Sequence, residues 1–363
     1  MMRRTFLAAA ALLPGVARGA EEWAPYSRTL LIDALGGPGI PGTPEEAQLS
    51  PQAVRDAVAS GLTACNVTVG YTESLEACVE GIGRWQREID LHPDAFLRVR
   101  SAADLETAKA TRRLGLIFGT QNLAMIGGEP SRLGTLRDLG VRIVQLTYNL
   151  RNLLGDGSIE PADAGLSRLG RTVIGKVNEL RLLLDLSHGG YRTITEAIAA
   201  SSRPCAISHT GCAAITAHPR NVPDAVLRAL AEKGGVAGIY FMPYLREKGQ
   251  QTAQDVVRHL EHALEVAGED HVGLGTDGNI SPLVLTPGMR RAHREEVEKR
   301  RKAGIAAPNE DPDVFLFAPD LNTPRRFETL ALLLRRRGHQ DARIAKILGE
   351  NFARLFREVW GTG

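Results

Sequence analysis

Short apolar runs, rich in leucine or β-branched residues, alternate along the chain with longer segments whose apolar residues recur at the helical period. Strand-like runs that alternate with amphipathic helices are typical of βα units and a parallel sheet. Eight such runs occur, at residues 29–34, 62–69, 115–119, 142–148, 182–187, 204–208, 235–241 and 271–276. Eight strands with helices between them match the strand count of a closed (β/α)8 barrel, the TIM-barrel fold, which we therefore predict.

The polar pattern also predicts helices and one irregular segment. Residues 51–59 and 192–200 are predicted as helices, the first capped by Ser50 with proline at its first position. After the eighth run, residues 285–322 are less regular and hold a charged helical stretch at 290–302. We interpret this stretch as a solvated helix that could also cover the barrel mouth as a lid. Two further helical segments, 323–338 and 341–360, are interrupted by Gly338 and Gly349.

The amino terminus is typical of an export signal. Arg3 and Arg4 are followed by an apolar stretch at residues 7–13, which is too short to span a bilayer. We predict a twin-arginine-type signal over residues 1–20, with an ordinary Sec signal as the alternative, and a single domain over residues 21–363. Either signal implies a periplasmic protein. Beyond it, no apolar run approaches the roughly 18 residues of a membrane span.

Composition narrows the kind of ligand. The chain has 44 Lys and Arg against 42 Asp and Glu. Because the charges nearly balance, no overall positive potential favours the binding of nucleic acid. A small molecule or a dipeptide is the better expectation. The four cysteines form no C-x-x-C pair, and Cys65 and Cys205 lie in apolar runs, where a thiol acts as a small hydrophobic group.

Reactive side chains follow several of the predicted strands. In a (β/α)8 barrel such groups project from the carboxyl ends of the strands and meet at one mouth. His188 and His209 follow neighbouring runs, so both imidazoles could reach one divalent ion, which is half of a zinc site. Asp277 ends the eighth run, where a carboxylate could accept a proton or hold a substrate ammonium group.

Arg220 is a candidate for binding a substrate carboxylate. It lies in the segment His-Pro-Arg-Asn-Val-Pro-Asp at residues 218–224, and a guanidinium matches a carboxylate in a bidentate way. An ion pair with Asp224 would explain the same arginine without a ligand. The two interpretations stay open at this point.

Several motifs together resemble the renal (membrane) dipeptidase family in order and spacing. They are Gly-Val-Arg-Ile-Val-Gln-Leu-Thr-Tyr-Asn at 140–149, Asp-Leu-Ser-His at 185–188, Ser-His at 208–209, Pro-Arg-Asn-Val-Pro-Asp at 219–224, His-Val-Gly-Leu-Gly-Thr-Asp at 271–277 and Ile-Leu-Gly-Glu-Asn-Phe-Ala-Arg at 347–354. The resemblance runs from about residue 29 to residue 360. It implies a two-zinc (β/α)8 hydrolase, usually a homodimer, that cleaves dipeptides.

Carried over by position, the resemblance implies roles for individual residues. His188 and His209 match the histidines of the second metal, Asp277 the proton-handling aspartate and Arg220 the arginine that binds the substrate carboxylate. The chain departs from the pattern at three places. Leu35-Gly36-Gly37 stand where the family has an H-x-D pair, Gln121 replaces the bridging glutamate, and Tyr148 replaces a histidine. A neutral amide is a poor zinc ligand, so we expect one Zn²⁺ or none.

Three functions are compatible with these residues. The first is a dipeptidase-like metallohydrolase with one zinc, bound by His188, His209 and Gln121, with Asp277 and Tyr148 as catalytic residues. Arg220 and Asn152 would bind its substrate. The second is a metal-independent isomerase or tautomerase of a peptide-derived metabolite, and the third is a non-catalytic binding protein for small peptides.

Overall fold

The structure is a computed structural model and describes residues 22–39, 48–71, 74–308 and 310–361. The predicted signal at residues 1–20 and the predicted start of the mature chain at residue 21 lie outside these ranges. Both remain predictions.

The strands of the described residues are short and mostly buried. They are β1 Ile32–Asp33, β2 Gly36–Gly37, β3 Ala64–Gly70, β4 Phe96–Val99, β5 Leu114–Thr120, β6 Val141–Gln145, β7 Leu183–Asp185, β8 Ala206–Cys212, β9 Asn221–Val222, β10 Val236–Ile239, β11 Val272–Leu274 and β12 Gly278–Asn279.

Eight of these strands form a parallel barrel in the order β1-β3-β5-β6-β7-β8-β10-β11. The amide of Ala34 donates to the carbonyl of Leu274 at 2.9 Å, which joins the first strand to the last. At the mouth, β2 pairs with β12 and continues this seam. Each of the eight predicted runs overlaps one barrel strand, so the (β/α)8 prediction is confirmed. Strand β4, which pairs with the first half of β5, was not predicted.

Helices connect the strands and cover the outside of the barrel. They are α1 Pro51–Ala59, α2 Leu75–Leu91, α3 Ala103–Thr111, α4 Arg132–Asp138, α5 Arg168–Glu179, α6 Tyr191–Ala200, α7 Asp224–Glu232, α8 Ala253–Ala267, α9 Pro287–Lys302, α10 Arg326–Arg336, α11 Asp341–Ala345 and α12 Asn351–Trp360. The Ser50 hydroxyl accepts from the amide of Ala53 at 3.2 Å, so the predicted cap of α1 is confirmed.

The predicted final helix is interrupted by one π-helical turn, Lys346–Glu350, between α11 and α12. This turn packs against the chain before β1. A Cβ placed on Gly349 would lie 2.3 Å from the carbonyl oxygen of Leu30 and 2.5 Å from the amide nitrogen of Ile32. Only glycine therefore allows the turn to contact the backbone of the first strand so closely.

The four cysteines are free thiols buried in the apolar core, and Cys65 and Cys205 lie on or beside barrel strands. Burial raises the pKa of Cys78 and Cys205 to about 11. They therefore act as small apolar side chains, as predicted for Cys65 and Cys205. None of the helices in the described ranges is both long and apolar enough to cross a bilayer.

Candidate active site

The structure brings the two predicted histidines together at the carboxyl ends of adjacent strands. His188 follows β7, and His209 lies within β8. The centroids of their rings are 4.9 Å apart, and both side chains are buried. His188 has a left-handed backbone with a φ of 62°, which a residue other than glycine adopts rarely and usually for function.

Hydrogen bonds to the Nδ1 atoms orient both imidazoles. Asn149 donates its amide nitrogen to the carbonyl of Ile305 at 2.8 Å, so its Oδ1 faces His188 Nδ1, 2.6 Å away. An amide oxygen only accepts, and His188 therefore carries its proton on Nδ1. The Nε2 atom of His188 is left buried without a hydrogen-bond partner in the described residues.

His209 is held by a second network, which is centred on Asp185. The hydroxyls of Ser187 and Ser208 both donate to the Asp185 carboxylate. Ser208 Oγ, 2.8 Å from His209 Nδ1, therefore accepts a proton from the ring. The Nε2 atom of His209 has no hydrogen-bond partner among the described residues either. Both unprotonated Nε2 atoms can thus receive a metal ion or a proton.

Electrostatics keep these imidazoles neutral. Burial lowers the pKa of His188 and of His209 well below its ordinary value, and the nearby positive charge of Arg220 lowers both further. A neutral imidazole is the form that binds metal or accepts a proton.

Arg220 lies beside this pair and is 4% exposed. Its Nη2 donates to the carbonyl of His209 at 3.5 Å, and its guanidinium lies 5.9 Å from the ring centroid of Tyr240. Asp224, the alternative partner considered from the sequence, pairs instead with His262 at 2.8 Å and with Arg228 at 3.8 Å. A buried guanidinium that lacks a carboxylate partner in the described residues suits an anionic group on a ligand.

Asp277 lies immediately beyond β11 at the seam of the barrel. Its backbone is left-handed, with a φ of 56°, and its amide donates to the carbonyl of Leu35 at 2.8 Å. Burial raises the pKa of its carboxyl group, although the positive charges of Arg220 and Arg300 oppose this shift. A raised pKa suits a carboxylate that takes up and releases a proton near neutral pH.

Tyr148 covers His188 from the other side. The two rings are stacked with centroids 4.2 Å apart and planes 22° apart. Arg300, which lies in α9, donates through Nη2 at 3.5 Å to the carbonyl of Ile305, which also accepts from Asn149. Arg300 forms an ion pair at 2.9 Å with the buried Glu310. The predicted lid therefore reaches the site.

Gln121 and Asn152 both hydrogen-bond to neighbouring groups of the protein. Gln121 donates its amide to Thr68 Oγ1 at 2.9 Å, and its role as a metal ligand stays a prediction. The amide of Asn152 donates to Asn122 and Leu146 and accepts from the amides of residues 154 and 155. These bonds shape the loop that carries Tyr148, so the prediction that Asn152 binds substrate gains no support from them.

Two of the three residues that replace the H-x-D pair, Gly36 and Gly37, have no room for a metal-binding side chain. Asp33 accepts from the amide and hydroxyl of Thr276, and its Oδ2 would lie 2.5 Å from a Cβ on Gly36. A Cβ on Gly37 would lie 2.9 Å from Val67. Asp33 thus supports the barrel seam. Side chains larger than glycine do not fit beside it without a shift of the surrounding structure.

These residues do not fit a two-zinc centre. Within the described ranges, no three His, Cys, Asp or Glu side chains are grouped so that they could hold a metal ion. Catalytic zinc in proteins ordinarily has three protein ligands. The two free Nε2 atoms of His188 and His209 are one ligand fewer than a catalytic zinc ion ordinarily has.

A cavity of about 340 Å³ is lined by His188, Arg220, His218 and Tyr191, among other residues, but not by His209, Asp277 or Tyr148. This volume lies within the range of small-molecule sites.

Sequence reasoning missed several residues that build the site. Asn149 directly follows Tyr148, and its place at the end of a predicted strand could have identified it. Arg300 and Glu310 lie in a segment without a strand-end or motif signal, so no local pattern pointed to them. Ser208 was noted only as part of a motif.

The family model and two curated relatives that match this chain are described as dipeptidases. Residues 45–286 match the family model described as membrane dipeptidase, peptidase family M19. The dipeptidase verJ of Clonostachys rogersoniana is 29% identical over 289 residues, which cover 79% of this chain and 66% of that protein. The dipeptidase tcpJ of Claviceps purpurea is 28% identical over 290 residues, 79% of this chain and 60% of that protein. The match therefore spans two thirds or less of these curated relatives.

Solved structures share the fold. An amidohydrolase from Pseudomonas aeruginosa superposes with a TM-score of 0.80 and 30% identity, covering 93% of this chain and 98% of that one. A metallopeptidase from Rhodobacter sphaeroides, bound to a phosphinate mimic of the dipeptide L-Ala-D-Ala, gives a TM-score of 0.73 at 18% identity and covers 92% and 100%. The second likeness concerns the fold alone.

Proposed function

Because the chain belongs to the membrane dipeptidase family, peptidase family M19, we propose that it hydrolyses dipeptides or similar small amides at the carboxyl mouth of its barrel. The observation that carries the proposal is the pair of unpartnered Nε2 atoms on His188 and His209, next to the buried Arg220. The names of the fungal relatives agree with this substrate class.

In this proposal one metal ion is held by His188 and His209. A bound zinc ion would polarise the scissile carbonyl and lower the pKa of a water molecule. Asn149 and Ser208 keep both Nε2 atoms unprotonated, which is the form that a metal requires.

The remaining residues act on the substrate directly. Arg220 binds the terminal carboxylate of the dipeptide through its guanidinium. The Asp277 carboxylate takes the proton of the attacking water and returns it to the nitrogen of the leaving amine, for which its raised pKa is suited. Tyr148 limits the access of water to His188 by covering its ring.

The proposal is tested by elemental analysis and a dipeptide screen on the same preparations. We expect about one zinc per chain after reconstitution, and loss of both zinc and turnover in the His188→Ala and His209→Ala variants. His92→Ala is the control, since this partly buried histidine contacts Glu88 on helix α2 and should change neither result. Absence of zinc together with absence of turnover would overturn the proposal.

A second candidate is a metal-independent isomerase or tautomerase. It is favoured by the finding that the described residues supply two histidines but no third ligand of the His, Cys, Asp or Glu type. His188, His209 and Asp277 would then act as acid and base groups. Turnover that is unchanged by a chelator would identify this function, and tight peptide binding without turnover would indicate a binding protein.

We also propose that the protein is exported to the periplasm, on the basis of Arg3, Arg4 and the apolar stretch that follows.

A further inference from the structure

The charged segment after the barrel is docked over the site. We call residues 285–308 and 310–322 the lid. In its helix α9, His293 donates to the carbonyl of Val314 at 2.9 Å, and Val297 is buried. Gln250, in the loop after β10, hydrogen-bonds to the carbonyls of Phe315 and Phe317. The lid thus packs on itself and on a barrel loop.

A second contact joins the lid to His188 through one side chain. Asn149 donates to the carbonyl of Ile305 at 2.8 Å and accepts from His188 Nδ1 at 2.6 Å. Both ends of its amide are therefore used, and they cannot be exchanged, because a carbonyl oxygen only accepts. The lid carbonyl consequently fixes which face Asn149 presents to the imidazole.

A third contact supports the Ile305 carbonyl from within the lid. Arg300 donates through Nη2 to this carbonyl at 3.5 Å. Its guanidinium also pairs with the buried Glu310 carboxylate at 2.9 Å. Arg300 therefore helps to hold the carbonyl that orients Asn149.

The fourth contact reaches the loop of Arg220. His218 donates from Nε2 to the carbonyl of Pro308 at 3.0 Å and accepts the amide of Arg220 on Nδ1 at 3.1 Å. Its ring stacks on Tyr244, whose hydroxyl donates to Glu310 at 3.0 Å. Lid residues 300–308 and 310 are thus connected to the residues that support His188 and Arg220.

We infer that the docked lid is a positioning element: its Ile305 carbonyl, to which Arg300 also donates, orients Asn149, and through Asn149 the lid selects the Nδ1-protonated tautomer of His188. The expected effect of the lid on turnover rests on the proposed function, whereas the expected tautomer of His188 does not. Partners that orient a reactive imidazole typically change activity or metal affinity by about 10- to 100-fold when they are removed. Asn149 and Arg300 are accordingly positioning residues and do not contact substrate in this proposal.

The first test reads the ring protonation directly. Nitrogen-15 NMR of the metal-free, labelled protein should show His188 protonated on Nδ1. Asn149→Asp keeps an acceptor for that proton and should retain the tautomer, whereas Asn149→Leu removes the acceptor and should lose it. An Nε2-protonated ring in the parent protein, or an unchanged tautomer in Asn149→Leu, would overturn the inference. Neither reading requires turnover, so a failure of the proposed hydrolysis would be seen separately.

The second test concerns the lid. Arg300→Gln should lower kcat by about 10-fold with little change in KM, because the carboxylate site at Arg220 is not removed. Lys299→Gln removes the same charge from the preceding position, where the side chain is 80% exposed, and should behave like the parent. Hydrogen exchange verifies that the lid loosens only in the first variant. Equal kcat in the two variants, with an intact fold, would refute a positioning role for Arg300.

Discussion

Asp33 is a carboxylate held inside the barrel seam, 2% exposed, by the amide and hydroxyl of Thr276. Burial raises its pKa to about 7, and the hydrogen bonds from Thr276 only partly offset this effect. Because the native pKa is the higher one, proton binding stabilises the fold fully below about pH 4. This contribution is lost as the pH rises to 7.

We therefore expect Asp33→Asn, which keeps the shape but does not titrate, to gain stability relative to the parent as the pH rises from 4 to 7. The gain should be on the order of 4 kcal/mol at most, since one pKa unit corresponds to about 1.4 kcal/mol. Urea unfolding at several pH values measures it. If the difference in unfolding free energy between the two proteins does not vary with pH, then the pKa of Asp33 is not raised in the folded protein.

Asp277 combines a left-handed backbone with a carboxylate whose burial outweighs the attraction of Arg220 and Arg300. Such a residue is retained at the expense of stability. Asp277→Asn should reduce hydrolysis by at least about 100-fold and raise the free energy of unfolding by about 1 kcal/mol. Dipeptide assays and thermal unfolding of the same sample test both parts. Loss of stability together with loss of activity would instead indicate a structural carboxylate.

Single residues were predictable where a strand end determined their place. His188, His209 and Asp277 could be located in this way because all carboxyl ends of a parallel barrel meet at one mouth. The partners that orient the imidazoles could not all be located. Ile305 contributes only a carbonyl, which has no sequence signal, and Arg300 belongs to a helix whose other charged residues are exposed.

At the scale of elements, the π-helical turn shows how one glycine determines a contact. Gly349→Ala would place a methyl group 2.3 Å from a carbonyl oxygen of the chain before β1. We expect a loss of about 1–3 kcal/mol, because neither backbone can move without disturbing the barrel. Urea unfolding provides the measurement.

Gly175→Ala is the matched control for that substitution. Gly175 lies inside α5, where an added Cβ would meet no atom within 4 Å. Alanine there should stabilise the protein by about 0.5–1 kcal/mol, since glycine is the weaker helix former. If both substitutions change the free energy of unfolding equally, then the close contact at Gly349 does not exclude a larger side chain.

The elements themselves were largely predictable. The eight barrel strands are buried on both faces, and their continuous apolar runs are bounded by helical segments. Strand β4 escaped prediction because it has only four residues, Phe96–Val99, and Arg98 interrupts its short apolar run. The short pairs β2 and β12 consist mainly of glycine and have no strand propensity at all.

At the scale of the whole molecule, the proposed export and its route can be tested. Lysine in place of both Arg3 and Arg4 should block a twin-arginine route, so that the precursor accumulates inside the cell. Arg18→Lys, in the same leader but outside the pair, should have no effect. Cell fractionation and blotting provide the measurement. Normal export of the doubly substituted protein would identify the Sec route.

The four buried thiols link that route to the order in which folding and oxidation occur. In the folded protein each sulfur is enclosed and its pKa is raised, so thiolate attack on an oxidant is suppressed. A chain that crossed the membrane unfolded would expose the same four sulfurs to an oxidising compartment before the core could enclose them, and they would cross-link incorrectly. A chain that folds first in the reducing cytoplasm avoids this competition. The folded barrel then protects the four thiols from oxidation.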